Sequence, residues 1–207
     1  MTTRDKLLSA TADALRCDGF GGLSARTIAA RANVNQALVF YHFGTMSEMV
    51  QAATRKSVDE SVAYYRDRFA EVQSLSELLA VGRGLHDRER GTGNVALMAQ
   101  VMAGAQQDLA LATAAADAMK AWSEEIERTV ARVLAGTAMA DLIDTAGFAQ
   151  AICAAFIGLE LFEGVDPAGG AAALDALETL GSLLGIVEGL GPVASRTLRA
   201  KLQRSGR

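Results

Sequence analysis

Thr27-Ile28-Ala29-Ala30-Arg31-Ala32-Asn33-Val34-Asn35-Gln36-Ala37-Leu38-Val39-Phe40-Tyr41-His42-Phe43 decides how this chain is read. Ile28, Ala29 and Ala32 share one face of a helix. Asn33 tolerates the left-handed backbone that ends a helix sharply. Asn35 can accept a backbone N–H and start the next helix. That helix is expected to bury Val39 and Phe43 and to turn Gln36, Tyr41 and His42 outward, with Phe40 read as core beside Phe43. Two helices joined by so short a turn make the unit that sets a recognition helix in the DNA major groove.

Upstream, Arg4 to Cys17 has helical periodicity, with Leu7, Leu8, Thr11, Ala14 and Leu15 on one face and Gly19 at the stop. Ser24 suits the N-cap of the second helix. Downstream, Thr45-Met46-Ser47-Glu48 has the spacing of a capping box. It opens a fourth helix running to about Val72, a candidate mechanical link between head and body.

The remaining chain reads as further helices. They cover Ser74 to about Arg88, Asn94 to Gly104, Asp108 to Ala135, Asp144 or Thr145 to about Glu163, and Gly170 to Leu190, with Pro192 opening a last one. Loops are expected at Gly91-Thr92-Gly93 and from Gly164 to Gly170. Strand-like alternation is absent, so the expected class is all-α. The division is 1–46 for the helix-turn-helix head and 47–207 for a larger helical ligand-binding and dimerisation domain.

Charge supports contact with phosphate at one end only. Residues 1–56 carry seven Lys/Arg against four Asp/Glu, residues 57–195 carry eight against twenty, and residues 196–207 carry five against none. The basic tail (Arg196, Arg199, Lys201, Arg204 and Arg207) is read as a solvated final helix. Cys17 and Cys153 lie far apart and are read as small core residues in a reducing, cytoplasmic setting. The N-terminus lacks the apolar core of a secretory signal. The apolar stretch Thr145 to Leu159 falls short of the roughly 20 residues that span a bilayer.

With these residues in view, "LSARTIAARANVNQALVFYHFGTMSEM" (Leu23–Met49) and the helix before it resemble the DNA-binding domain of the TetR family of bacterial regulators. The resemblance implies a homodimer on a palindromic operator, repressing until a small molecule enters the body. It assigns DNA contacts to Ser24, Arg26, Thr27, Asn35, Gln36, Leu38, Tyr41, His42 and Thr45. Gln36 can pair with adenine edges and Leu38 can meet a thymine methyl. Tyr41 and His42 suit phosphate oxygens. The family usually has tyrosine at Phe40 and lysine at Met46. With those groups missing, the start of the fourth helix is expected to offer N–H groups to phosphate, and the salt dependence to be weaker by about one unit of slope.

For the body, Phe69, Met98, Met102 and Trp122 are the pocket candidates, for a small apolar effector. His86, between Leu85 and the charged run Asp87-Arg88-Glu89-Arg90, is read as a surface residue. Gly181, Gly185 and Gly189 recur every four residues, and with Leu184, Ile152, Phe156 and Leu159 they are expected to line a two-fold helical dimer interface. No catalytic motif, metal-ligand spacing or cofactor signature is found, so neither enzyme activity nor a cofactor is expected. The alternative function is a helical ligand-binding or adaptor protein whose DNA grip is weakened by Phe40 and Met46.

Overall fold

The computed structural model describes residues 1–137, 139–140 and 143–188. Gly189, Leu190, Pro192 and the basic tail lie outside the described residues. Among those described there are helices and no strand. In chain order they are α1 (Thr3–Asp18), a 3-10 turn (Phe20–Gly22), α2 (Ala25–Ala32), α3 (Ala37–Phe43), α4 (Met46–Glu71) and α5 (Leu75–Thr92). Then follow α6 (Asn94–Gly104), α7 (Leu109–Leu134), α8 (Thr145–Val165) and α9 (Pro167–Glu188).

The chain divides into two compact units: residues 1–64 with 88–121, and residues 65–87 with those from 122 on. Helices α4, α5 and α7 contribute residues to both.

In the first unit, α1, α2, α3 and the start of α4 close around Leu7, Leu8, Ile28, Ala29, Val39, Phe43, Met49 and Ala53. A second cluster, of Ala12, Leu15, Val50, Leu97, Val101, Leu111 and Ala115, joins the other face of α1 to α4, α6 and α7. The head therefore does not stand alone. Residues 1–46 are too few to bury a full core, and the back of α1 supplies the rest by packing on α6 and α7.

Polar contacts fasten this packing. Asn94, at the start of α6, accepts from Arg16 Nη2 (2.6 Å) and Ser57 Oγ (3.0 Å). Its amide donates to Ser61 Oγ (3.1 Å) and Glu89 Oε2 (2.6 Å). One side chain thus ties α1, α4 and α5 to α6, and it uses all four of its hydrogen-bonding positions.

Asp108 caps α7 by accepting from the N–H groups of Ala110 (2.8 Å) and Leu111 (3.3 Å), and it also accepts from Ser47 Oγ (2.9 Å). The Ser47 hydroxyl first, then the Leu111 N–H, hold its carboxyl below the usual range. A carboxyl lowered in the folded state contributes stability above its unfolded pKa, and loses it as pH falls through the folded value. The gap in Tm between wild type and Asp108→Asn is therefore expected to be full at neutral pH. It should close as pH drops below about 4 in a circular-dichroism titration.

In the second unit, Tyr65, Phe69 and Trp122 meet with ring centroids 6.4 Å apart in every pairing. Tyr65 donates to the Gly84 carbonyl at 3.1 Å. Helix α8 packs along α9, and Gly170 sits where a Cβ would come within 2.4 Å of Glu163 Cβ and 2.8 Å of its Cα. Only glycine lets the first turn of α9 pass there.

Several boundaries and burials differ from the sequence reading. Helix α5 runs through Gly91 to Thr92, and the chain turns at Gly93 (φ 73°). The loop expected at 164–170 shrinks to Asp166, because Pro167 takes the first helical position and Asp166 Oδ1 accepts from the Gly169 N–H (3.0 Å). Cys17 is exposed, whereas Cys153 is buried and its thiol is pushed up to about 11. Leu109, the first residue of α7, is 84% exposed.

Helix α8, with 21 residues, is long and apolar enough to cross a bilayer by length and composition. Ending the stretch at Leu159 made it too short. The helix continues because Glu160 and Glu163, which broke the apolar run in the sequence, turn inward and are buried. Those inward carboxylates and the packing along α9 fit a helix of a folded body.

Candidate nucleic-acid interface

The geometry begins with the ends of α2. Ser24 Oγ accepts from the Thr27 N–H (3.1 Å), and Thr27 Oγ1 accepts from the Ser24 N–H (3.0 Å). Thr27 also donates toward the Gly22 and Ser24 carbonyls. At the other end Asn33 is left-handed (φ 53°, ψ 52°), the one non-glycine residue at positive φ among those described. The Asn33 N–H donates to the Ala30 carbonyl (3.1 Å) and the Val34 N–H to the Ala29 carbonyl (3.0 Å). This pair of bonds closes a helix and redirects the chain, and Val34 packs on the head core.

Asn35 then opens α3, its Oδ1 accepting from the Ala37 N–H at 2.8 Å. Val39 is fully buried and Phe43 nearly so, which anchors α3. Gln36 and Ala37 are exposed, Tyr41 is 80% exposed and His42 is intermediate. Tyr41 and His42 meet edge to face at 5.1 Å.

Phe40 corrects the sequence reading: it is 49% exposed rather than core. Positions 36 and 40, like 37 and 41, are one turn apart, so Phe40 stands beside Gln36 on the outer face. Helical spacing offered two inward-facing candidates, and only Phe43 fits beneath the head. Leu38 is half-buried against the core, which leaves only part of its side chain for an outside partner.

At the start of α4, Thr45 N and Oγ1 both donate to Glu48 Oε2 (2.9 and 2.8 Å), and Thr45 Oγ1 accepts from the Glu48 N–H (3.1 Å). The capping box forms as its spacing implies. It also takes two of the donors at this helix start and sets the Glu48 carboxylate there, which narrows what the helix start offers to phosphate. Met46 packs on the head core.

Cations divide by their neighbours. Arg16 is held by Asp13 and the Asn94 network, and Arg31 pairs with Asp18 at 2.7 Å. Arg55 and Lys56 pair with Asp59 and Glu60 one turn on. Arg26 is exposed and, among the described residues, pairs with no carboxylate. Arg4 lies over the Phe43 ring at 5.2 Å. The outer surface of α2 and α3 therefore presents one unpaired guanidinium (Arg26), one amide (Gln36), one phenol (Tyr41) and one imidazole (His42). Those groups can serve both base edges and phosphate oxygens.

The body candidates fall in different places. Phe69 is buried in the aromatic trio of the second unit, with Trp122 half-buried against it. Met98 and Met102 belong to the first unit, where Met102 packs on the cluster around Leu97 and Val101. Leu159 is already buried within its chain, and Ile152 and Phe156 are half-buried. At Gly181 the room left by the missing side chain is taken by Leu79 of α5, 2.1 Å from an ideal Cβ, while Gly185 has only Ser76 nearby, at 3.7 Å. The apolar face left outside consists of Leu161, Phe162, Val165, Leu177, Leu180 and Leu183. Gly189 lies outside the described residues.

His86 is the largest correction in the body. It is 3% exposed, with Glu160 on Nδ1 and Glu163 on Nε2 at 2.9 Å. Its charged sequence neighbours suggested surface, but Leu75, Leu78, Leu85, His86 and Glu89 follow one inward stripe of α5. The stripe's spacing was the available signal.

Residues 7–53 match the model of bacterial regulatory proteins of the tetR family. No curated protein sequence matches the chain. Among solved structures, a protein described as a TetR-family transcriptional regulator from Rhodococcus sp. is 23% identical, with a TM-score of 0.74, over 90% of this chain and 98% of that one. The multidrug binding protein EbrR complexed with imidazole is 25% identical, with a TM-score of 0.61, over 86% and 95%. A transcriptional regulator from Saccharomonospora viridis in complex with choline is 17% identical, with a TM-score of 0.68, over 86% and 93%. The helix-turn-helix head therefore matches the tetR-family model over residues 7–53, and the fold over most of the chain is similar to that of solved proteins described as TetR-family transcriptional regulators.

Proposed function

We propose that this protein is a cytoplasmic repressor that binds a palindromic operator as a homodimer and leaves it when a small apolar molecule binds the body. One observation carries the DNA reading: Asn33 and Asn35 fix a tight turn between α2 and α3, so that Gln36, Tyr41 and Arg26 stand exposed on one head. In this reading Gln36 reads bases, while Arg26, Tyr41 and His42 hold phosphates. Ser24, Thr27, Asn35 and Thr45 first shape the backbone, and their remaining capacity faces the DNA. The functional division lies near residue 46, where the head ends and α4 begins.

The exposed apolar residues of α8 and α9 support the homodimer, since six large hydrophobic side chains left exposed on two packed helices call for a cover. Gly185 lies on the same helix; the side chain of Leu184 lies outside the described residues. Within the second unit Phe69 and Trp122 supply aromatic surface for an effector, and within the first Met98 and Met102 supply adaptable apolar surface. The choline and imidazole complexes show that relatives of this fold take small molecules. None of these roles is chemical turnover, and the reading includes no enzyme activity.

The test is selection of DNA by the full chain from a random pool, followed by mobility shifts at two salt concentrations. A palindrome bound with steep salt dependence is the expected result, together with a dimer mass by sedimentation. Failure to enrich any sequence would overturn this reading. It would leave a helical ligand-binding protein, which Phe40 without a hydroxyl, Met46 on the core and Glu48 at the start of α4 favour.

A further inference from the structure

Two helices of the second unit bring a nitrogen and two carboxylate ligands together in its interior. On α8 the inward face runs Ala149, Cys153, Phe156, Glu160 and Glu163, so three apolar turns end in two acids three residues apart. Opposite them, α5 supplies His86. All three polar residues are buried. One ligand atom from each lies within 4.8 Å of the others, with Glu160 on ring Nδ1 and Glu163 2.9 Å from Nε2.

From this juxtaposition we propose that His86, Glu160 and Glu163 form a site for one divalent first-row transition-metal ion, a role beyond DNA binding and independent of it. The donor set selects the class. An imidazole nitrogen disfavours calcium and magnesium, which take oxygen ligands, and the absence of sulfur among the three disfavours copper(I). One nitrogen with two carboxylate oxygens suits zinc, manganese or ferrous ions. Charge fits as well: two carboxylates and a neutral imidazole supply the two negative charges that a dication needs.

Size fits after small adjustments. Bonds of about 2.0–2.2 Å put neighbouring ligand atoms roughly 3–3.5 Å apart. The 2.9 Å pair is already near that spacing, and a separation of up to 4.8 Å must close by about 1.3–1.8 Å through glutamate rotamers. Binding exchanges the ring's two carboxylate contacts for one nitrogen and two oxygen ligands, leaving further positions for water or an external ligand.

The surroundings hold the donors in place. Phe156 stands edge-on to the His86 ring, with centroids 6.5 Å apart. Gly170 lets α9 press against the Glu163 backbone, which fixes the stem of that side chain. Paired donors from facing helices are how helical bundles build metal centres.

The full chain, stripped with chelator and dialysed, should be titrated with zinc chloride and manganese chloride by calorimetry, and with cobalt(II) by visible absorption. One ion per chain at micromolar affinity is expected, with a cobalt spectrum showing nitrogen and oxygen ligation. Glu160→Gln and Glu163→Gln should each weaken binding by at least about 10-fold, and His86→Ala should remove the cobalt spectrum. His42→Ala, which removes the other histidine of the chain, should change neither. Circular dichroism of each variant separates lost ligands from lost folding. No saturable binding by the wild type below about 100 μM, or undiminished binding by folded His86→Ala, overturns the proposal.

Discussion

Replacing Gln36 or Arg26 with alanine is expected to break DNA binding in two distinguishable ways without unfolding the head. Both side chains are exposed, so each substitution should move stability by no more than about 0.5 kcal/mol. Gln36 offers a paired donor and acceptor, and its loss should cost about 1–3 kcal/mol per head and relax discrimination at one base pair of each half-site. Arg26 is the unpaired guanidinium of this surface among the described residues. Its loss should weaken binding across all sequences and lower the salt slope by about one per head. In a dimer both effects count twice, so either variant should lose at least about 30-fold on a selected operator at moderate salt.

Fluorescence anisotropy on the selected operator and on single-base variants, over a salt series, measures both. A Gln36→Ala protein with unchanged base preference, or an Arg26→Ala protein with unchanged slope, would remove that residue from the assigned role. Tyr41→Phe supplies an internal control. It deletes one neutral hydroxyl at an 80%-exposed position, so affinity should fall while the salt slope stays.

Asn94→Ala is expected to lower stability by about 3 kcal/mol, or Tm by about 6–12 °C. The size follows from what the amide holds together. It accepts from Arg16 and Ser57 and donates to Ser61 and Glu89, and Glu89 is 6% exposed. Alanine leaves the Glu89 carboxylate and the Arg16 guanidinium short of a partner where water has little access, which is the expensive way to break a polar network. Asn94→Asp should be worse than its near-identical shape suggests. It can still accept from Arg16, but it sets a second carboxylate against Glu89 and loses both donors. Urea unfolding of the full chain compares the three proteins. A shift below about 1 kcal/mol for Asn94→Ala would mean that water replaces the amide.

The two predictions also mark how far the sequence could be read. The head was legible because its devices are short-range. Ser24 with Thr27, Thr45 with Glu48, and Asn35 with Ala37 are partners within three residues of each other, and each bond forms as spacing implies. Asn33 adopts the left-handed conformation for a local reason as well: two carbonyls of the preceding turn need the N–H groups it redirects. The buried positions of α4, from Met49 to Phe69, follow the helical period.

What failed to read was set by residues far away in sequence. Phe40 and Phe43 have the same character, and only the shape of the core beneath α3 decides that one goes in. Cys17 ends on the outside of α1, where its place in the helical period does not by itself say which face is covered. Nothing near Asn94 in sequence marks it as the hub of a network whose members span residues 16 to 94.

Sequence by itself determined the helical class, the turn between α2 and α3, the caps and the resemblance to the TetR family, because backbone hydrogen bonds within one turn and side-chain periodicity are local properties. Tertiary structure alone decided that Phe40 faces out, that Leu79 of the same chain fills the room left by Gly181, and that His86 meets Glu160 and Glu163 74 and 77 positions away. Burial is a property of which surfaces meet, and a charged neighbour in sequence says little about the side of the helix that meets them.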